Sequence, residues 1–182
     1  MSRTARQVTA EELERFRDDD YRYELVQGRV TRMSPVGFQH GKVVMRVGFL
    51  LSRHLENRRV GVALTEVGFT LARNPDTVRA PDIAFVRQDR IPSSDTRGFL
   101  NGPPDLAIEV LSPDDRLSEV NEKVDEYLTR GVGLVVVVDP EEKTVTTFRP
   151  GTPSVILRAD DDTLDLNDVI RGFRCSLREV FE

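Results

Sequence analysis

The 182-residue sequence predicts a mixed α/β fold (α+β), a mixed β-sheet flanked by helices and extended by extra β-hairpins. Three observations predict it. Runs rich in β-branched and aromatic residues outnumber the amphipathic helical stretches, the apolar run "DLAIEVL" leads within a few residues into a helical pattern, and Gly, Pro and Asp separate the runs. A hydrophobic content of 38% over this length supports a single domain, residues 1–182, with a real core. Within it we expect an N-terminal helix and hairpin over about 9–35, a core over about 40–150 and a C-terminal extension over about 151–182.

In chain order, "VTAEEL" reads as a helix start. Thr9 can cap, Glu12 follows three residues later as in a capping box, and Val8 with Leu13 can form the hydrophobic staple, so a short helix runs to about Asp18. In "YRYELVQGRVTRMSP", Tyr21, Tyr23 and Leu25 alternate before a Gln27-Gly28 turn and Val30 follows it, which predicts a β-hairpin with Glu24 in its first strand. From His40 to about Asn57, Val43, Val44, Val47, Leu50, Leu51 and Leu55 recur at helical spacing. The runs "VGVALTEVGFTLA" and "DTVRAPDIAFVR" read as strands, and "QDRIPSSDTRGFLNGPP" as a surface loop.

After the strand "DLAIEVL", the segment "SPDDRLSEVNEKVDEYLTRG" carries Leu117, Val120, Val124, Tyr127 and Leu128 at helical spacing. Asp114 and Asp115 stand at its start and Gly131 at its end. "LVVVVDP" and "TVTTFRP" form a hairpin about "EEK", the first being a central strand. The last stretch holds two short strand-like pieces around "DDD" and a closing segment that buries Phe173, Leu177 and Phe181.

Composition narrows the chemistry. No apolar run approaches the roughly 20 residues that span a bilayer, and the N-terminus lacks the apolar stretch of a secretory signal. A cytoplasmic protein without membrane contact is expected. Cys175 is the sole cysteine and there are two histidines, which argues against a disulfide and a Cys/His zinc site, so any metal sits on oxygen ligands. The net charge of -5 argues against a protein that coats nucleic acid, although charge placement can override the total. Only Lys42, Lys123 and Lys143 are lysines among the 26 basic residues.

Two carboxylates lie in otherwise apolar runs: Asp82 in "APDIAFV" and Glu109 in "DLAIEVL". A buried carboxylate without a partner costs several kcal/mol, so such groups are paired, protonated or metal-bound. Oxygen ligands point to magnesium, manganese or calcium, and if the two strands are neighbours, Asp82 and Glu109 converge and can hold such a hard divalent cation, Mg²⁺ or Mn²⁺ first, with the backbone carbonyl of Val110 as a further ligand. Lys123, on the following helix, can orient water or stabilise a developing phosphorane charge. The chemistry this suits is metal-assisted hydrolysis of a phosphodiester.

The Pro81-Asp82 pair followed by Glu109 resembles the PD-(D/E)XK nuclease superfamily. In order, "YELVQGR", "APDIAFV", "PPDLAIEVLSPDD", the helix with Lys123 and Tyr127, and "GVGLVVVVDP" resemble the bacterial Uma-two family of restriction-endonuclease-like proteins, over roughly residues 9 to 181. The resemblance implies a restriction-endonuclease-like fold, DNA as substrate and a lysine supplied by Lys123, since Leu111 stands where the superfamily motif has its lysine. It also implies an accessory acidic role for Glu24 and marks His40 as a recurrent residue of unassigned role. Dimers are common among such nucleases.

Each residue has a plainer reading. Asp82 can make a turn hydrogen bond, Glu109 a buried salt bridge to an arginine, and Lys123 can lie along the apolar stripe. Glu24 can be exposed beside Arg22 or Arg29, His40 can be a helix-terminal surface residue, and Tyr127 packs in the core. Arg46, Arg53, Arg58 and Arg59 can track phosphates or form a solvated face. The reading is a divalent-metal-dependent DNA nuclease. A non-catalytic nucleic-acid-binding or regulatory module is the alternative, and a homo-oligomeric scaffold a weaker third.

Overall fold

The computed structural model describes residues 6–16, 21–93, 97–158 and 162–182. Helix α1 (Ala10–Leu13) starts at the expected capping box: Thr9 accepts from the Glu12 amide and the Glu12 side chain accepts from the Thr9 amide. Asp18, where this helix was expected to end, lies outside the described residues. Strands β1 (Arg22–Val26) and β2 (Arg29–Met33) form the predicted hairpin, with Gln27 and Gly28 at φ 50° and 75° as a two-residue turn of this hand requires. Helix α2 (Phe38–Leu55) then buries His40, Val43, Val47, Leu50 and Leu51.

The next two runs depart from expectation in a way that shapes the whole molecule. Each was read as one strand, and each is two. The first run divides into β3 (Gly61–Thr65) and β4 (Phe69–Ala72), the second into β5 (Thr77–Arg79) and β6 (Ile83–Arg87). β3 pairs antiparallel with β6 and β4 with β5, so the two runs are the arms of one long hairpin, bent halfway along. The bend falls at Glu66 (φ 58°) on one arm and at Ala80-Pro81-Asp82 on the other, where proline offers no N–H to continue a ladder.

The expected loop carries a 3-10 turn at Gln88–Arg90 and a short strand β7 (Leu100–Asn101) parallel to β4. Strand β8 (Leu106–Val110) runs parallel to β9 (Leu134–Asp139), the two being joined by helix α3 (Leu117–Thr129), and β10 (Thr144–Phe148) returns antiparallel to β9. Asp114 and Asp115 precede α3, where Asp115 accepts from the Ser112 amide, and Leu117 is exposed rather than part of the apolar stripe. The two C-terminal pieces, β11 (Val155–Arg158) and β12 (Thr163–Asp165), do not pair with each other. β11 pairs with β10, and β12 with β13 (Arg174–Ser176), which leads into α4 (Leu177–Phe181). Of the "DDD" turn, Asp160 and Asp161 lie outside the described residues.

The strand orders are β11-β10-β9-β8-β6-β3 in one sheet and β2-β1-β5-β4-β7 in the other. Alternate residues of the six-stranded sheet feed two cores. Ile83, Phe85, Ile108, Val136 and Val138 pack with α2 and the C-terminal segment, while Ala84, Val86, Ala107, Val135 and Val137 pack with Val124 and Tyr127 of α3. Strands covered on both faces read as continuous apolar runs, which explains "LAIEV" and "LVVVVD". Among the described residues no helix is long and apolar enough to cross a membrane.

Candidate active site

The bend of the long hairpin determines where the carboxylates meet. β6 neighbours β8, with Ile83 opposite Ile108, so Asp82, one residue before β6, comes level with Glu109. The Val110 amide donates to Asp82 Oδ2 at 2.8 Å, which ties the bend to the end of β8. His40, two residues into α2, stands 3.2 Å from the same oxygen through Nε2. His40 is buried, so its reading as a surface residue is corrected: within an otherwise exposed first turn of α2, its side chain alone enters the fold against Asp82. Among the described residues, Nδ1 of His40 is a buried atom without a partner.

Glu109 is met by α3. Lys123 Nζ lies 2.9 Å from Glu109 Oε1, and the Tyr127 hydroxyl donates to that oxygen at 2.7 Å. Lys123 and Tyr127 are four residues apart, one helical turn, and so share a face. The salt-bridge partner of Glu109 is this lysine and not an arginine. Lys123 also stands 3.3 Å from Glu24 Oε1.

Glu24 is buried in β1, not exposed beside Arg22 or Arg29. Arg79 Nη1 donates to its Oε2 at 2.9 Å and the Ala80 amide to its Oε1 at 3.0 Å. Arg79 reaches Glu126 of α3 through Nε at 2.6 Å. A chain of alternating charge therefore runs Glu126, Arg79, Glu24, Lys123, Glu109. Arg79 and Glu126 were missed in the sequence, where the only signal was position: Arg79 directly precedes Ala80-Pro81-Asp82, and Glu126 lies three residues after Lys123. Tyr127 packs in the core as expected, and its hydroxyl also belongs to the site.

The protonation states follow from these contacts. Burial opposes ionisation of Asp82, but hydrogen bonds from His40 and Val110 and the charge of Lys123 outweigh it and hold the carboxyl below its usual range. Burial likewise opposes ionisation of Glu24, and Lys123 and Arg79 outweigh it. Glu109 goes the other way: burial pushes it up to about 7, Lys123 opposes the rise, and Asp82 and Glu24 add to it. Burial works against the charge on Lys123, yet Glu109 and Glu24 raise its pKa above the ordinary lysine value. Lys123 is an ammonium throughout the neutral range.

The donor set suits a hard cation. Among the described residues, no hydrogen bond reaches Oδ1 of Asp82 or Oε2 of Glu109, and both side chains keep a sliver of accessible surface, 12% and 13%. These are oxygen donors of the kind Mg²⁺ and Mn²⁺ take. No cluster of three His, Cys, Asp or Glu able to hold a metal occurs among the described residues. Mg²⁺ usually binds through one or two carboxylates and completes its shell with water and substrate oxygens, so two carboxylates fit it.

Comparison with known proteins places these observations. No curated protein matches the chain. A solved structure described as a putative nuclease belonging to DUF820, from Anabaena variabilis, superposes with a TM-score of 0.81 over 96% of this chain and 97% of that one, at 22% identity. At that identity the likeness shows the fold. The Uma2 family profile, described as "Putative restriction endonuclease", matches residues 10–178. With nearly all of its length covered by that match, from the first residue of α1 into α4, the chain belongs to the Uma2 family.

Proposed function

We infer that this protein is a divalent-metal-dependent nuclease that hydrolyses DNA phosphodiester bonds. The observation that carries the reading is Asp82, one residue before β6, standing level with Glu109 in the neighbouring β8, each with an oxygen that no donor among the described residues reaches, and with Lys123 fixed on Glu109. Asp82, Glu109 and the Val110 carbonyl would hold Mg²⁺ or Mn²⁺. When bound, the ion supplies Lewis-acid polarisation of the phosphoryl oxygen and a more acidic water.

The chain's own residues set the stage for that chemistry. Lys123 presents a permanent positive charge beside the carboxylate pair, where negative charge builds on the phosphoryl oxygens during displacement. Glu24 and Arg79 position Lys123: Glu24 Oε1 meets the ammonium and the Ala80 amide, while Arg79 holds Oε2. Tyr127 holds Glu109 Oε1, and no donor among the described residues reaches Oε2. His40 and the Val110 amide hold Asp82 Oδ2 in the same manner.

The test is calorimetric titration of Mn²⁺ into wild type and Glu109→Gln, with circular dichroism to establish that both are folded, followed by DNA cleavage by wild type and Asp82→Ala. Binding by wild type alone, with cleavage abolished in Asp82→Ala, is the expected result. Full activity in folded Asp82→Ala would refute the assignment.

One observation favours a second reading, a non-catalytic nucleic-acid-binding or regulatory module. Lys123 and the Tyr127 hydroxyl both meet Glu109 Oε1, so the buried carboxylate already has partners within the protein. Under that reading DNA binds with a steep salt dependence, and no cleavage follows in Mg²⁺ or Mn²⁺.

A further inference from the structure

No aspartate or glutamate occurs between Glu24 and Glu56, in a chain that holds 31 acidic residues and a net charge of -5. The stretch contributes Arg29, Arg32, Lys42, Arg46 and Arg53. It begins and ends its first half in the candidate site, with Glu24 at one side and His40 at the other. Positive charge is therefore segregated within this stretch, which touches the candidate site at Glu24 and His40.

Helix α2 carries most of this segment, and its outer face is ordered. Phe38, Lys42, Met45, Arg46, Phe49 and Arg53 fall at i, i+4, i+7, i+8, i+11 and i+15, which is one stripe about 22 Å long. Phe38 is 82% exposed, Met45 74% and Phe49 50%. Lys42 and Arg46 donate to the backbone carbonyls of Phe181 and Glu179, so their charges are oriented without being neutralised, whereas Arg53 meets the Glu179 carboxylate. The guanidinium groups of Arg46 and Arg53 lie 5.9 Å and 5.6 Å from the Phe49 ring centre.

Basic groups interleaved with exposed rings suit one partner chemistry. Phosphates answer the charges and unstacked bases answer the rings, as in single-strand binding surfaces. A duplex hides its base faces and would leave Phe38 and Phe49 in water. A second copy of the chain would bring the same basic stripe against itself. We propose that the outer face of α2 is a track for single-stranded nucleic acid that leads the strand to the carboxylate site. The destination rests on the nuclease reading, and the binding itself does not.

Fluorescence anisotropy with labelled oligothymidylate and with a duplex of equal length, both in EDTA, tests this with the full chain. Wild type should bind the single strand at least tenfold more tightly. Lys42→Gln with Arg46→Gln should weaken binding about tenfold and lower the salt slope. Phe38→Ala, at an exposed ring, should weaken single-strand binding by about tenfold and leave the salt slope unchanged. Preference for the duplex, or unaltered binding in these variants, overturns the proposal. So does a concentration-dependent dimer in sedimentation that Phe38→Ala dissolves while oligonucleotide binding persists, since the face would then belong to a second copy. Track binding without cleavage in Mn²⁺ would count against the nuclease reading alone. Cleavage that survives unchanged in all three substitutions would count against the track alone.

Discussion

The Lys123–Glu109 contact shows how much one residue depends on its neighbours. Removing one member of a buried ion pair leaves the other uncompensated and costs about 3–5 kcal/mol. Lys123→Met should therefore destabilise the protein by several kcal/mol at pH 8, and by less at pH 5, where Glu109 can take up a proton. Adding Glu109→Gln to Lys123→Met should recover much of the loss, and urea denaturation of Lys123→Met, Glu109→Gln and the double variant measures the coupling. Tyr127→Phe deletes one donor to a buried carboxylate and should cost about 1–3 kcal/mol. At this scale Asp82, Glu109 and Lys123 were legible, since charges in apolar runs are costly and need an explanation. The burial of His40 and the place of Arg79 were not, because each depends on a partner remote in sequence.

At the scale of elements, helices, caps and hairpin turns were legible because their signals are local: the Thr9–Glu12 box, the Gln27-Gly28 turn, the apolar stripe of α2. The bend of the β3–β6 hairpin was not. Two apolar runs look alike whether they stay in one sheet or cross between two, and only the strand partners distinguish these cases. Gly61 opens this hairpin, with φ 154° and its α-carbon facing the Val86 carbonyl and the Phe85 ring. An added methyl group would collide with backbone, which cannot give way as a flexible side chain can. Gly61→Ala should lower stability by roughly 2 kcal/mol or more, measured as a shift in urea midpoint at constant slope.

For the whole molecule, buried charge produces a pH dependence with two limbs of opposite sign. Glu24, Asp76, Asp82 and Asp105 are each held below their ordinary values, although burial opposes every one of them, because hydrogen bonds and nearby cations outweigh it. Their contribution is present above the unfolded pKa values and is lost as pH falls through the folded ones, so stability should drop below about pH 4. Glu109, raised by burial to about 7 from 4.5, acts in reverse: its contribution is full below pH 4.5 and is lost as pH rises through about 7. Denaturation from pH 3 to 9 should show both limbs in wild type, and the decline between pH 5 and 8 should flatten in Glu109→Gln. A profile with no decline in that window, or one unchanged by the substitution, would refute the burial argument.

By itself the sequence determined the class of fold, most of the elements and the residue types of the candidate site. Those follow from local periodicity, capping chemistry and the cost of placing charge among apolar side chains, all of which act over a few residues. Tertiary structure alone decided that β6 lies beside β8, that α2 closes on Asp82, and that Arg79 joins Glu24 to Glu126. Those pairings join residues tens of positions apart, and their energy exists only once the chain has closed the loops between them.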